Sequence, residues 1–98
     1  MKTGFEVELE KVVLILTEHS TYQILLEGHT DNQGDWNDNL KLSIERVENV
    51  KKHLISRGID GNRIKIKGWG GAKPIANNLL EDTRRINRRV EFTLIPFE

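Results

Sequence analysis

The spacing of apolar residues predicts two amphipathic helices. Between residues 5 and 18, apolar side chains recur three and four positions apart and glutamates fill the other faces, which is typical of a helix with one buried side. The start of this segment also alternates like a strand, but its glutamates favour a helix. A second apolar stripe predicts a helix over residues 39–57, which ends before Gly58 because glycine commonly follows a last helical turn.

Shorter alternating segments predict strands. They lie at residues 22–27, 63–68 and 90–95. Residues rich in glycine, aspartate and asparagine predict loops between these elements. The loops are residues 28–38, residues 69–74 and the polar stretch 75–87, with a single helical turn at 79–85.

The order helix, strand, helix, strand, strand predicts an α/β fold, a two-layer sandwich with two main helices packed on one face of a mixed β-sheet. A chain of 98 residues suits a single domain over residues 1–98, with its core in residues 5–95. Three strands make a thin sheet, and a fourth strand before the first helix would complete a βαβ unit. We therefore expect a missing or truncated first strand, an exposed sheet edge, and with it homodimerisation through that edge.

The charge composition argues against nucleic acid as a partner. Lysine and arginine together number 15, as do aspartate and glutamate, so no net field attracts the chain to polyanions or anionic membranes. Four arginines lie within residues 84–89, but no aromatic residues are interleaved with them. Arg88 shares the parity of the apolar residues of the last strand and is expected on the packed side, whereas Arg89 points the other way with Glu91.

The sequence does not favour an enzyme. There are three histidines and no cysteine, so thiolate chemistry and disulfides are excluded. His29 lies near Asp31 and could form a dyad with it, but residues two apart at a strand end need not touch, and we expect His29 to be a packed residue. The motifs of zinc proteases, dinucleotide-binding domains and phosphate loops do not occur.

The loop after the first strand concentrates acidic and amide side chains, which raises the question of a metal site. A calcium loop of the EF-hand type needs ligands at its third and twelfth positions. Counted from Asp31, these positions hold Gln33 and Leu42, so the pattern fails. We expect turn formation instead, with the cap of the second helix supplied by one of three residues. These candidates are Asn37, Asp38 and Asn39.

One edge of the second helix carries polar residues. At 100° per residue, Asn39, Ser43 and Arg46 fall on one line beside the apolar stripe, so we expect their side chains to lie along the protein surface. The local alternatives remain open here: Asp31 can be a turn or cap residue, and Arg46 can form an exposed ion pair. The glutamates within reach of such a pair are Glu27, Glu45 and Glu48.

Several ordered motifs resemble the OmpA-like domain, a peptidoglycan-associating module of outer-membrane proteins, peptidoglycan-associated lipoproteins and flagellar stator proteins. They are GHTDNQG at 28–34, NLKLSIER at 39–46, GWG at 68–70, PIANN at 74–78 and NRRV at 87–90. The resemblance covers about residues 5 to 95 and implies the strand and helix order βαβαββ.

The resemblance implies a non-catalytic protein without a cofactor or a metal. In this family the aspartate of the first motif and the arginine of the second hold the ammonium and the carboxylate at the free end of the diamino acid of the peptidoglycan stem, and these residues correspond to Asp31 and Arg46. Thr30, Asn39 and Arg88 are expected to line the same pocket. An aspartate and a guanidinium fork suit such a zwitterion on chemical grounds.

The resemblance also implies a place in the cell. We expect the periplasm of a bacterial envelope, with a tether to the outer membrane through parts of the parent protein outside this chain. The partner is the peptide stem, carrying diaminopimelate, ornithine or a similar residue, and no nucleic acid. The alternative is an OmpA-like scaffold, a protein-interaction module that has lost peptidoglycan binding.

Overall fold

A computed structural model describes residues 4–76, 78–79 and 87–97 of the chain. Its elements are α1 (Gly4–Glu18), β1 (Tyr22–His29), α2 (Trp36–Ser56), a short 3-10 helix (Gly61–Arg63), β2 (Ile64–Gly70) and β3 (Arg89–Pro96). The order of helices and strands is the one that the sequence pattern predicts. The helical turn predicted at 79–85 lies almost entirely outside the described residues.

The three strands form one mixed sheet with the order β2-β1-β3. The central strand β1 runs parallel to β2 and antiparallel to β3. In this register Leu26 lies between Ile66 on one neighbour and Phe92 on the other. Because alternate side chains of a strand point to the same face, these residues face the helices together. The predicted two-layer α/β fold, with two helices packed on one face of the sheet, is confirmed.

The hydrophobic core lies between that face of the sheet and the two helices. Its buried members are Leu9, Val13, Leu16, Ile24, Leu26, Val47, Val50, Leu54, Ile59 and Ile64. Helix α1 supplies the first three and α2 contributes Val47, Val50 and Leu54. Full burial of one such aliphatic side chain stabilises the fold by about 1.5–3 kcal/mol. In the described part of the chain, neither helix has the length and apolarity that crossing a bilayer requires.

Two glycines bring α2 very close to the sheet. A Cβ on Gly28 of β1 would overlap the backbone oxygen of Ser43, and a Cβ on Gly68 of β2 would overlap the side chain of Ile44. Glycine at both strand positions therefore lets the helix backbone rest on the strands. Because β1 and β2 are parallel and α2 connects them, the start of α2 lies beside the carboxyl ends of both strands.

The bounds of all five main elements differ from the sequence prediction, those of α1 and β3 by only one residue at an end. Strand β1 continues to His29 and β2 to Gly70, because these two residues pair with each other across the sheet although neither belongs to an apolar alternation. Helix α2 begins at Trp36, and its N-cap is Asp35, whose carboxylate accepts the N–H of Asn37. The three residues proposed as caps lie inside the helix, so that prediction was wrong.

The sheet is open at β3. Among the described strands, β3 has β1 as its one neighbour, and no described strand precedes α1, which begins at Gly4. The first strand, which we expect to be missing or truncated, would fall on residues before Gly4, outside the described part of the chain. Within the described part, the outer edge of β3 has no partner strand.

Candidate functional site

Asp31 lies directly beyond the carboxyl end of β1, and two groups hold its carboxylate. Oδ1 accepts the backbone N–H of Gln33 at 3.0 Å, which is the turn role expected of an aspartate in this loop. Oδ2 forms an ion pair with Nη1 of Arg88 at 2.9 Å. The side chain of Asp31 is 10% exposed. The carboxylate is thus fixed in direction and still reaches the surface.

Arg46 approaches the same end of β1 from α2. Its Nη1 donates a hydrogen bond to the backbone oxygen of His29 at 3.2 Å, and its side chain is half-buried. Among the described residues, none of the three glutamates considered for an ion pair contacts it. Glu27 instead accepts the indole N–H of Trp69 at 2.6 Å. A single hydrogen bond therefore fixes a guanidinium that carries five N–H donors.

A cavity of about 840 Å³ opens beside these groups, between α1, α2 and β3. The residues that line it are Leu9, Glu10, Arg46, Asn49, Val50, His53, Arg57, Arg88, Arg89 and Val90. Arg46 and Arg88 both belong to the lining, and Asp31 borders it through its ion pair with Arg88. The structure therefore brings three of the predicted site residues together, at one end of this cavity. It joins Asp31 to Arg88 directly, and not to Arg46.

Thr30 and Asn39 are tied to the backbone around Asp31. The buried Thr30 donates its hydroxyl to the backbone oxygen of Asp31 at 2.8 Å and its N–H to the oxygen of Gly70 at 2.8 Å. Asn39 donates its amide to the backbone oxygen of Gln33 at 2.8 Å. In this structure both side chains shape the loop that carries the carboxylate.

Ser43 has a structural role that the sequence did not predict. We expected its side chain along the surface, but it is completely buried. Its hydroxyl donates to the backbone oxygen of Leu40 at 2.7 Å and accepts the N–H of Gly70 at 2.9 Å. The error arose because helical spacing places Ser43 at the edge of the apolar stripe, whereas Gly28 draws this edge onto the sheet. Gly28 is the feature of the sequence from which the burial of Ser43 could have been predicted.

Asn87 is a second positioning residue that sequence reasoning overlooked. It is completely buried. Its Oδ1 accepts the N–H groups of Ile75 and Ala76, and its Nδ2 donates to the oxygen of Ala76 and to Oδ1 of Asn78. The amide therefore ties the residue directly before Arg88 to Ile75, Ala76 and Asn78. An asparagine directly before paired arginines, in a polar stretch, was the available signal.

His29 is packed, as expected, and forms no dyad with Asp31. The ring is buried, and neither ring nitrogen has a hydrogen-bond partner among the described residues. Its Nε2 lies 3.5 Å from the carboxylate of Glu91. Burial lowers the pKa of His29 below 6.5, and the charge of Arg89 lowers it further against the opposing effect of Glu91. Arg89 in turn pairs with Glu91 at 2.6 Å, as the strand parity predicted.

Comparison with known proteins places this geometry in a family. The model of the OmpA family matches residues 5–88. The chain is 39% identical over 88 residues to the probable lipoprotein YiaD of Escherichia coli, which covers 90% of this chain and 40% of that protein. It is 38% identical over 72 residues to the peptidoglycan-binding protein ArfA of Mycobacterium bovis, which covers 74% of this chain and 22% of that protein. The chain thus spans less than half the length of either relative.

The fold agrees with a solved structure of a related protein. The crystal structure of the peptidoglycan-associated lipoprotein from Burkholderia pseudomallei superposes with a TM-score of 0.89 at 26% sequence identity, covering 97% of this chain and 80% of that one. The two helices and the mixed sheet of this chain therefore superpose on most of a peptidoglycan-associated lipoprotein. On the family model, the relatives and the fold together, this chain belongs to the OmpA family.

Proposed function

We propose that this chain is a non-catalytic peptidoglycan-binding domain that holds the diamino-acid end of the peptide stem between Asp31 and Arg46. The observation that carries the proposal is that these two residues, 15 positions apart in the sequence, reach the same end of β1 beside one cavity. The free end of a diamino acid carries an ammonium and a carboxylate. The carboxylate of Asp31 accepts hydrogen bonds from the first, and the guanidinium of Arg46 donates two parallel bonds to the second.

The neighbours of Asp31 and Arg46 suit these roles. Arg88 pairs with one oxygen of Asp31 and so helps to hold the carboxylate in one orientation. Arg46 uses one N–H on the backbone of His29, which orients its planar fork and leaves other donors for a ligand. Thr30 and Asn39 act through the loop backbone, and Arg88 lines the cavity where the ligand would enter.

The expected affinity is modest. Each hydrogen bond to a charged group contributes about 1.5–3 kcal/mol. Two such contacts with a few neutral ones correspond to a dissociation constant on the order of micromolar to millimolar. Firm attachment to the wall then comes from avidity, because peptidoglycan repeats the same stem and the parent protein can present several copies of the domain.

The relatives support a place in the cell envelope. YiaD is described as a probable lipoprotein and ArfA as a peptidoglycan-binding protein. We propose that this domain works in the periplasm and that a part of the parent protein outside this chain tethers it to the outer membrane. Its partner would be a stem that carries diaminopimelate, ornithine or a similar residue.

Titration of a soluble stem peptide tests the proposal. Asp31→Asn and Arg46→Lys should each weaken binding about tenfold or more, because a charge-assisted contact is worth about 1.4 kcal/mol or more. Glu48→Gln and Lys52→Gln, which change exposed charges elsewhere on α2, should leave the affinity within about twofold. Isothermal titration and sedimentation with purified peptidoglycan provide the two measurements.

The outcome also separates the alternative function. If the folded protein binds neither the peptide nor purified peptidoglycan, the chain is an OmpA-like scaffold that has lost this ligand. If it binds both and the two site variants bind equally well, the assignment of Asp31 and Arg46 is wrong. Release of soluble fragments from peptidoglycan would contradict the non-catalytic part of the proposal.

We also propose that the chain self-associates through the open edge of β3. An edge strand presents unpaired backbone N–H and C=O groups to a second chain, and β3 is the outer strand of the described sheet. Sedimentation velocity over a hundredfold range of protein concentration should show a dimer that dissociates on dilution. A single monomeric species throughout would contradict the dimer.

A further inference from the structure

The cavity continues well beyond Asp31 and Arg46, and we propose that its far end binds a second carboxylate of the same peptide stem. The residues assigned there are Arg57 and His53. This inference rests on the proposed function and extends it from recognition of one amino acid to recognition of a peptide.

Helix α2 forms one long wall of the cavity. Residues 46, 50, 53 and 57 all line it. At 100° per residue these positions fall within a sector of about 60°, so one side of the helix faces the cavity along its length. Arg46 and Arg57 are 11 positions apart in the chain, which corresponds to about 16 Å along the axis.

This distance sets the length that a ligand needs to reach both arginines. The two charged ends of a free diamino acid, which is about as long as two extended residues, cannot reach from Arg46 to Arg57. An extended peptide advances about 3.5 Å per residue, so a stem of four or five residues, about 14 to 18 Å long, is comparable to this distance. A ligand held by its diamino acid at Arg46 therefore places another part of its chain against Arg57.

The far end of the cavity already holds a carboxylate, that of Glu10. Glu10 accepts a bond from Nη1 of Arg57 at 2.6 Å, and the same oxygen lies 3.5 Å from Nε2 of His53. That ring nitrogen is buried and has no hydrogen-bond partner among the described residues. Arg57 thus holds this carboxylate, and the ring nitrogen of His53 lies beside it. The side chains of Glu10 and Arg57 are 27% and 47% exposed, and partly exposed ion pairs of this kind are weak, so a ligand carboxylate can replace Glu10.

The remaining lining fits a peptide of this kind. Of the lining residues that the structure describes, four are arginines and one is a glutamate, whereas the whole chain has a formal net charge of zero. Leu9, Val50 and Val90 add apolar surface between the two charged ends. An apolar middle with cationic groups at both ends complements a peptide of small side chains that carries carboxylates at separate points.

The experiment compares two ligands on the same variants. The ligands are free diaminopimelate and a stem tetrapeptide that contains it, and their affinities are measured by isothermal titration. The wild-type chain should bind the tetrapeptide about tenfold more tightly than the amino acid. Arg57→Gln should abolish that difference and Glu10→Gln should increase it about threefold, while neither changes the affinity for the amino acid.

The pair of variants controls for folding. Both break the ion pair between Glu10 and Arg57, so a general loss of structure would move both affinities in the same direction, whereas the proposal moves them in opposite directions. Lys52→Gln removes a nearby exposed cation and should change neither affinity. Equal binding of both ligands by the wild-type chain, or an unchanged preference in Arg57→Gln, overturns this inference and leaves the proposed function standing. Failure of both ligands to bind overturns both.

Discussion

The hydroxyl of Ser43 offers a sharp test of how the fold supports the site. In Ser43→Ala the buried N–H of Gly70 loses its acceptor, the serine oxygen at 2.9 Å. A buried donor left unsatisfied costs about 1–3 kcal/mol, and alanine regains up to about 0.5 kcal/mol through its higher helix propensity. The free energy of unfolding should therefore fall by about 0.5–3 kcal/mol. This is a large part of the roughly 5–15 kcal/mol that stabilises a typical protein.

A matched control exists on the same helix. Ser56 also donates its hydroxyl to a backbone oxygen of α2, that of His53 at 2.6 Å, but it is exposed and accepts no buried N–H. Ser56→Ala should change the free energy of unfolding by less than about 0.5 kcal/mol. Urea denaturation measures both variants. Equal changes in the two would refute the reasoning that the bond to Gly70 matters.

The same substitution should also affect the loop that carries Asp31. Gly70 accepts the N–H of Thr30 through its backbone oxygen at 2.8 Å, so Ser43 supports that loop through two successive bonds. Amide hydrogen exchange at Thr30 should become faster in Ser43→Ala than in Ser56→Ala, because the strand end that holds it has lost an anchor. Unchanged exchange at Thr30 would show that the two bonds act independently.

Two further predictions concern the buried end of β1. Because burial lowers the pKa of His29, the unfolded chain binds a proton at higher pH than the folded one. The free energy of unfolding should fall as the pH drops below about 6.5, by at most about 1.4 kcal/mol per pH unit. His29→Gln should flatten this slope, whereas substitution of an exposed histidine, His19→Gln, should not. The same slope in both variants would show that burial of His29 does not cause the pH dependence. Gly28→Ala should cost about 3 kcal/mol because its Cβ would overlap the backbone of α2. Gly34→Ala, which has open space around it and a φ of 87°, should cost about 1 kcal/mol, and equal losses would refute the overlap.

The types of the elements were predictable from local patterns, but their ends were not. Apolar spacing over many residues indicates a helix or a strand wherever one face is buried. The last residues of β1 and β2, His29 and Gly70, carry no such pattern and are strand because they pair across the sheet. The start of α2 is likewise decided by the turn at Gly34 and the cap at Asp35, which propensity alone did not distinguish from the next polar residues.

The candidate site was predictable in its residues and not in its contacts. Motif resemblance pointed to Asp31, Arg46 and Arg88, and the structure brings them to one place. The ion pair between Asp31 and Arg88 joins residues 57 positions apart, and no local spacing contains that information. The predicted exposure of Ser43 was wrong for a related reason. Burial at the edge of a helix depends on what packs against that edge.

The sequence by itself determined the class of the fold and the chemistry available to the site, because hydrophobic spacing selects helices and strands and because side-chain type decides which charges are present. Only the tertiary structure decided which of those charges meet. The parallel crossover through α2 brings the ends of β1 and β2 together, and packing of α1 and β3 against that helix leaves the arginine-lined cavity between them. Contacts of this kind depend on the whole chain folding at once, and no short segment encodes them.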